Sequence, residues 1–250
     1  MNRITAVCLS ALALTSAAAA AQDQQPPRYV YEAYNQVSDL QAWNGFYQKH
    51  AVPILRQLQS EGVIQGWTAA QHHTGGQYNS RLAIRTFDWA SINTFWSEFF
   101  SRLSSAVPAG EMDAWFALSR AHRDDIWELG AINTSQRPTN FMYQAAFQIG
   151  FADLEEWNSN FASRLRPILD ELVGEGLLGG YVVFNHNTGG ALNWKLLYLF
   201  EEWDKMDDFF QQVGSRMSQR FPAAAQAAQL VQAHTDDLWV PVPAQANANQ

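Results

Sequence analysis

The chain has 250 residues, with 16 Lys and Arg against 24 Asp and Glu and a formal charge of −8. An acidic chain without a basic cluster argues against nucleic acid and against an anionic membrane surface as partners. Its single cysteine, Cys8, lies in the first ten residues, so neither a disulfide nor thiolate chemistry is expected of the rest.

Met1 to Ala21 reads as a secretory signal: Arg3, an apolar run from Ile4 to Leu14, and an Ala-rich end. The run is too short to span a bilayer. Cleavage near Ala21 is expected to release a soluble exported protein, periplasmic or secreted, that does not insert in a membrane afterwards. Losing Arg3 leaves 15 basic residues against 24 acidic ones. Gln22 to Pro27 forms a loose lead-in, and 244–250 a small polar tail expected to be disordered. Ten Trp, fifteen Phe and eight Tyr imply two large cores, or a core with an aromatic cavity or interface.

Arg28 to Tyr34, rich in Tyr, is predicted as a strand. Ser38-Asp39 offers an N-cap to a helix whose stripe runs through Leu40, Trp43, Tyr47, His50, Ile54 and Leu58. Pro53 falls inside that helix and is expected to kink or split it, and Glu61-Gly62 supplies the stop. Gly66 to His72 and Tyr78 to Phe87 read as a hairpin about Thr74-Gly75-Gly76. A helix from Asp88 carries Phe95, Phe99 and Leu103; a short helical segment follows Pro108, and Asp125 to Leu129 is the last strand.

The same order then returns. A strand spans Phe141 to Gln148, and a helix is interrupted by Pro167 and stopped at Glu175-Gly176. Gly180 to His186 and Leu192 to Phe200 form a hairpin about Thr188-Gly189-Gly190. A helix from Asp204 carries Phe209, Phe210, Val213 and Met217; a short helical segment follows Pro222, and a strand spans Asp237 to Val240. Pro53 and Pro167 stand 114 residues apart, His122 and His234 112, so the later loop is shorter by two. A repeat of this length marks two copies of one module, 28–130 and 141–243.

The order βαββαβ is a split βαβ unit of the ferredoxin-like kind. The expected fold is α+β, two tandem ferredoxin-like βαββαβ modules forming a pseudo-twofold α/β barrel. With the run Phe46-Tyr47-Gln48-Lys49-His50-Ala51-Val52-Pro53, this topology resembles the dimeric α/β-barrel superfamily, here as a single-chain pseudo-dimer. Several families of that superfamily place a His shortly before a Pro there. They usually have one residue between the two where this chain has two, and Arg164 stands at the place of His50 in the second copy. The superfamily includes cofactor-free monooxygenases, haem enzymes, decarboxylase-like enzymes and binding modules, so the resemblance implies fold and leaves chemistry open.

Three polar patterns are candidate sites. His-x-Thr-Gly-Gly-x-x-Asn occurs as His72, Thr74, Asn79 and as His186, Thr188, Asn193. It reads either as a capped hairpin or as a polar pocket rim with His72 or His186 as base. In a closed barrel His72 could meet His234, and His186 could meet His122. Arg81 and Lys195 share one strand face with Asn79 and Asn193, and if that face looks into the barrel they put cations beside a buried cavity. They would stabilise an anionic or enol-like ligand, or form ion pairs, with Glu32 as one candidate partner. His122 with Asp124, and His234 with Asp236, carry ligand types suited to zinc, manganese or non-haem iron, though each pair lacks a third ligand.

The leading functional expectation is a small aromatic or anionic molecule bound in the cavity between the modules, with cofactor-free chemistry on it as one outcome. A metal- or haem-dependent enzyme using the His/Asp rim, through His72, His122 or His234 for haem, is the second expectation. A non-catalytic cell-envelope module meeting its partner through Trp-rich surface is the third. The sequence names no cofactor: it holds no nucleophile elbow, P-loop, dinucleotide fingerprint or His-Glu-x-x-His.

Overall fold

The computed structural model describes residues 28–222 and 228–242. The expected signal at 1–21, the tail at 244–250 and most of the segment after Pro222 lie outside the described residues. In the N-terminal half β1 (Tyr29–Val37) leads into α1 (Leu40–Phe46), where the Asp39 carboxylate accepts from the Ala42 N–H at 2.9 Å as an N-cap. Pro53 splits the expected helix. It has no N–H for the carbonyl four residues back, and the chain widens into one π turn, Tyr47–Ala51, before α2 (Val52–Ser60). β2 (Gly66–Thr74), β3 (Ser80–Thr86), α3 (Trp89–Ala106), α4 (Ala109–Phe116) and β4 (Ser119–Thr134) complete this half.

The C-terminal half repeats the pattern. β5 (Phe141–Ile149) precedes α5 (Leu154–Asn160), a second π turn at Phe161–Leu165, and α6 (Arg166–Glu175). β6 (Gly180–Thr188), β7 (Trp194–Phe200), α7 (Lys205–Arg220) and β8 (Val231–Pro241) follow. β4 and β8 are far longer than the expected Asp125–Leu129 and Asp237–Val240. Most of their extra residues are polar, small or exposed, so hydrophobicity does not mark them, yet they pair with the neighbouring strands.

The eight strands close into one antiparallel barrel in the order β1-β3-β2-β8-β5-β7-β6-β4. Within it the N-terminal strands run β4-β1-β3-β2 and the C-terminal strands β8-β5-β7-β6. The halves join through their edge strands, β2 to β8 and β4 to β6, which leaves no free sheet edge. Two helix-to-sheet cores lie outside the barrel: Leu55, Leu58, Phe95 and Leu103 anchor one, and Ile168, Leu169, Leu172 and Phe209 the other. A third core of Val30, Tyr34, Met142, Phe184, Leu197 and Trp239 fills the barrel interior. Because strand side chains alternate, each strand of the barrel feeds one inner and one outer core.

Candidate functional site

Arg81 and Lys195 enter the barrel interior, where both are committed to Glu32. Arg81 binds one carboxylate oxygen of Glu32, while Lys195 Nζ reaches the other at 2.5 Å. The Tyr34 hydroxyl donates to that second oxygen at 2.6 Å. Burial alone would push the Glu32 carboxyl up, but the two cations outweigh it and hold it down at about 2. Burial pulls the Lys195 ammonium down to about 8, against the opposing pull of Glu32. The ammonium also sits 4.4 Å from the Trp127 ring and 4.2 Å from that of Phe184. The two cations thus act first as partners of a buried carboxylate.

The hairpin residues divide into separate duties. Asn79 clamps the backbone of Val37, accepting from its N–H at 2.7 Å and donating to its carbonyl at 2.9 Å. Asn193 does the same to Ile149 at 2.8 and 2.7 Å. These side chains terminate the β1–β3 and β5–β7 ladders. Thr74 and Thr188 are exposed. Closure of the barrel does not bring His72 to His234. His72 lies opposite Trp239 and 3.5 Å from Asp237, and His186 lies opposite Trp127, because β2 and β6 overlap only the later residues of β8 and β4. Asp237 accepts from the Gly76 N–H at 2.6 Å and Asp125 from the Gly190 N–H at 2.8 Å. Each glycine turn is thereby stapled to the opposite half. The second Asp of each Asp-Asp pair is the working one, which sequence spacing did not reveal.

His122 Nε2 lies 2.8 Å from Asp124, and its Nδ1 3.0 Å from Asn35 Oδ1, which also accepts from Ser119 at 2.9 Å. His234 lies 3.4 Å from Asp236. Among the described residues no group of three or more His, Cys, Asp or Glu gathers to hold a metal ion. Each of these pairs stays at two ligands, one short of the usual protein set.

A cavity of about 500 Å³ lies outside the barrel between β1, β3 and the N-terminal helices. It belongs chiefly to the N-terminal half; a smaller cavity, about 220 Å³, lies between the halves, where the sequence analysis expected one. Trp43, Tyr47, Trp96, Phe99 and Trp115 form much of its wall; Phe100, Phe116 and the His122–Asp124 edge stand at its more exposed side. Trp115 stacks on Trp43 and Phe46, each with ring centres 4.4 Å apart. Two buried donors lining the cavity, Tyr47 Oη and Trp115 Nε1, have no hydrogen-bond partner among the described residues. Burial holds the Tyr47 phenol well above its usual range, so it remains an O–H donor.

The equivalent space in the C-terminal half is filled. The cross-strand pair Asn35–Ser80 of β1 and β3 is matched by Phe147–Trp194 of β5 and β7. Phe147, Trp157, Phe161 and Trp194 interlock there, with ring centres 5.4 to 5.8 Å apart, and the Trp194 indole donates to Asn158 at 3.0 Å. Two small polar residues thus open the cavity in one half only. The position of Ser80 was visible in the sequence, but its consequence required the register.

A haem fits this donor set poorly. Among the described residues His122 is the one imidazole lining the cavity, and both its nitrogens are already engaged. Tryptophan is no surface belt either: among the described residues Trp43, Trp67, Trp115, Trp127, Trp194 and Trp239 are buried, and Trp89 and Trp203 are about half exposed.

No protein-family model and no curated protein sequence matches the chain. Solved structures do. A proposed monooxygenase of Fusobacterium nucleatum superposes with a TM-score of 0.59 at 10% identity, over 87% of this chain and 94% of that one. An anthrone oxidase-like protein gives 0.55 at 11%, over 87% and 92%. A cyanide complex of mutant chlorite dismutase from Candidatus Nitrospira defluvii gives 0.55 at 8%, over 90% and 97%. At such identities the likeness is one of fold: this is an α+β protein of the dimeric α/β-barrel fold.

Proposed function

We propose that the chain is a tandem duplication of a ferredoxin-like module, a single-chain counterpart of a dimeric α/β barrel, that acts after export and binds a small aromatic molecule in the cavity of its N-terminal half. The strand orders β4-β1-β3-β2 and β8-β5-β7-β6 support the duplication. The observation that carries the ligand reading is the asymmetry: Asn35 and Ser80 keep open a space that Phe147 and Trp194 close in the other half. An apolar wall with a few fixed polar groups is the usual make-up of a ligand pocket. The Trp115 indole can only donate and the Tyr47 hydroxyl has its own proton to donate, so the ligand carries an acceptor oxygen, as a phenol, quinone or aromatic ketone does.

A second reading adds cofactor-free proton transfer on that ligand. It is favoured by the chain Ser119–Asn35–His122–Asp124, which runs from the cavity edge to a half-exposed imidazole. Native mass spectrometry of the mature protein, with a denatured control, tests the binding reading. A bound mass of an oxygenated aromatic, released on denaturation, supports it. Should the protein be bare and bind neither 1-naphthol nor 1,4-naphthoquinone in a calorimetric titration, the reading fails.

A further inference from the structure

A different cavity, about 220 Å³, opens at the mouth of the barrel between the two glycine turns and is lined by both halves. Its carboxylates are already engaged. Asp125 accepts from Gly190 and pairs with Arg123 at 3.1 Å; Asp237 accepts from Gly76. Glu32, beneath, holds Arg81, Lys195 and Tyr34. Several of its donors are not taken. Trp127 and Trp239, 3% and 1% exposed, line the cavity; their indole N–H groups have no partner among the described residues, and Arg123 Nε is likewise unpaired. His72 Nε2 and His186 Nε2 flank them, also without a hydrogen bond: the 3.5 Å from His72 to Asp237 exceeds normal bonding distance.

Two buried indoles facing one small cavity cost free energy unless an acceptor reaches them, since an indole N–H can only donate. Arg81, Lys195 and Arg123 balance Glu32, Asp125 and Asp237, so the mouth takes a neutral ligand or a single negative charge without a large field. The volume falls below that of drug-sized pockets. We propose that the barrel mouth is a second binding site, shared by the two halves, for a compact molecule whose polar atoms are carbonyl or carboxylate oxygens. This inference does not depend on what occupies the outer cavity.

The test is a titration of the full mature protein, labelled with 15N at its ten indoles, with pyruvate as probe and ethylammonium as a donor-only control of similar size. Saturable shifts are expected at two indole N–H resonances with pyruvate and at none with ethylammonium. Trp127→Phe and Trp239→Phe should each delete one of the two and weaken the probe roughly tenfold. If one variant does not fold, the other still assigns a resonance, and the wild-type titration stands alone. Two unmoved indoles with pyruvate, or equal shifts with ethylammonium, would overturn the proposal; the former would leave the mouth holding water only.

Discussion

Tyr47 and Trp115 set what the outer cavity can hold, because a buried donor without an acceptor selects for one. Tyr47→Phe should weaken 1-naphthol by about 1 kcal/mol, close to the worth of one hydrogen bond, while the melting temperature holds or rises. A fall in stability with unchanged affinity, in paired calorimetric and thermal measurements, would show the hydroxyl to be structural. Residue roles were only partly legible in sequence. Asn79 and Asn193 stood out by spacing, and their duty is the ladder clamp, one of the readings that pattern allowed. Asp125 and Asp237 were hidden because their partners are backbone amides of the other half, far away in sequence. His50, singled out by the superfamily resemblance, holds α4 through Glu111 at 2.9 Å.

At the level of elements, the hairpin turns fasten the halves together. Gly189 adopts a φ of +134°, and a Cβ there would lie 2.2 Å from Asp125 Oδ1. Gly189→Ala should therefore cost about 1–3 kcal/mol in urea unfolding, whereas Gly174→Ala, in α6 with open space around it, should cost nothing or stabilise. Equal effects at both positions would refute the staple. Most elements could be read from sequence because period and punctuation agreed: Asp39 and Asp88 cap helices, Pro53 and Pro167 split them, and paired glycines turn hairpins. The ends of β4 and β8 could not, since many of their residues are polar or exposed and those stretches are held by pairing rather than by a buried face.

For the whole molecule, the buried cluster ties the halves through one carboxylate, as Glu32 of the first receives Lys195 of the second. The carboxyl is held near 2 against an ordinary 4.5, so its contribution is complete above pH 4.5 and is lost as pH falls toward 2. About 3 kcal/mol should disappear across that window, a slope that Glu32→Gln abolishes. Glu32→Gln should itself cost about 3–5 kcal/mol at neutral pH, because Arg81 and Lys195 are left without their counter-charge. A variant as stable as wild type in urea would remove the cluster from the account of how the halves join. The barrel could be foreseen from the repeat, but the cavity could not, because its position rests on differences between the copies rather than on their likeness.

The most direct test of the central claim is to close the N-terminal cavity as the C-terminal half closes its own. Ser80→Trp places an indole where Trp194 stands, with Asn44 in the position of Asn158 to accept its N–H. Calorimetric titration with 1-naphthol should show saturable binding to the wild-type protein and none to the Ser80→Trp variant, whose melting temperature is retained. Undiminished binding by a folded variant would place the ligand elsewhere and contradict the account.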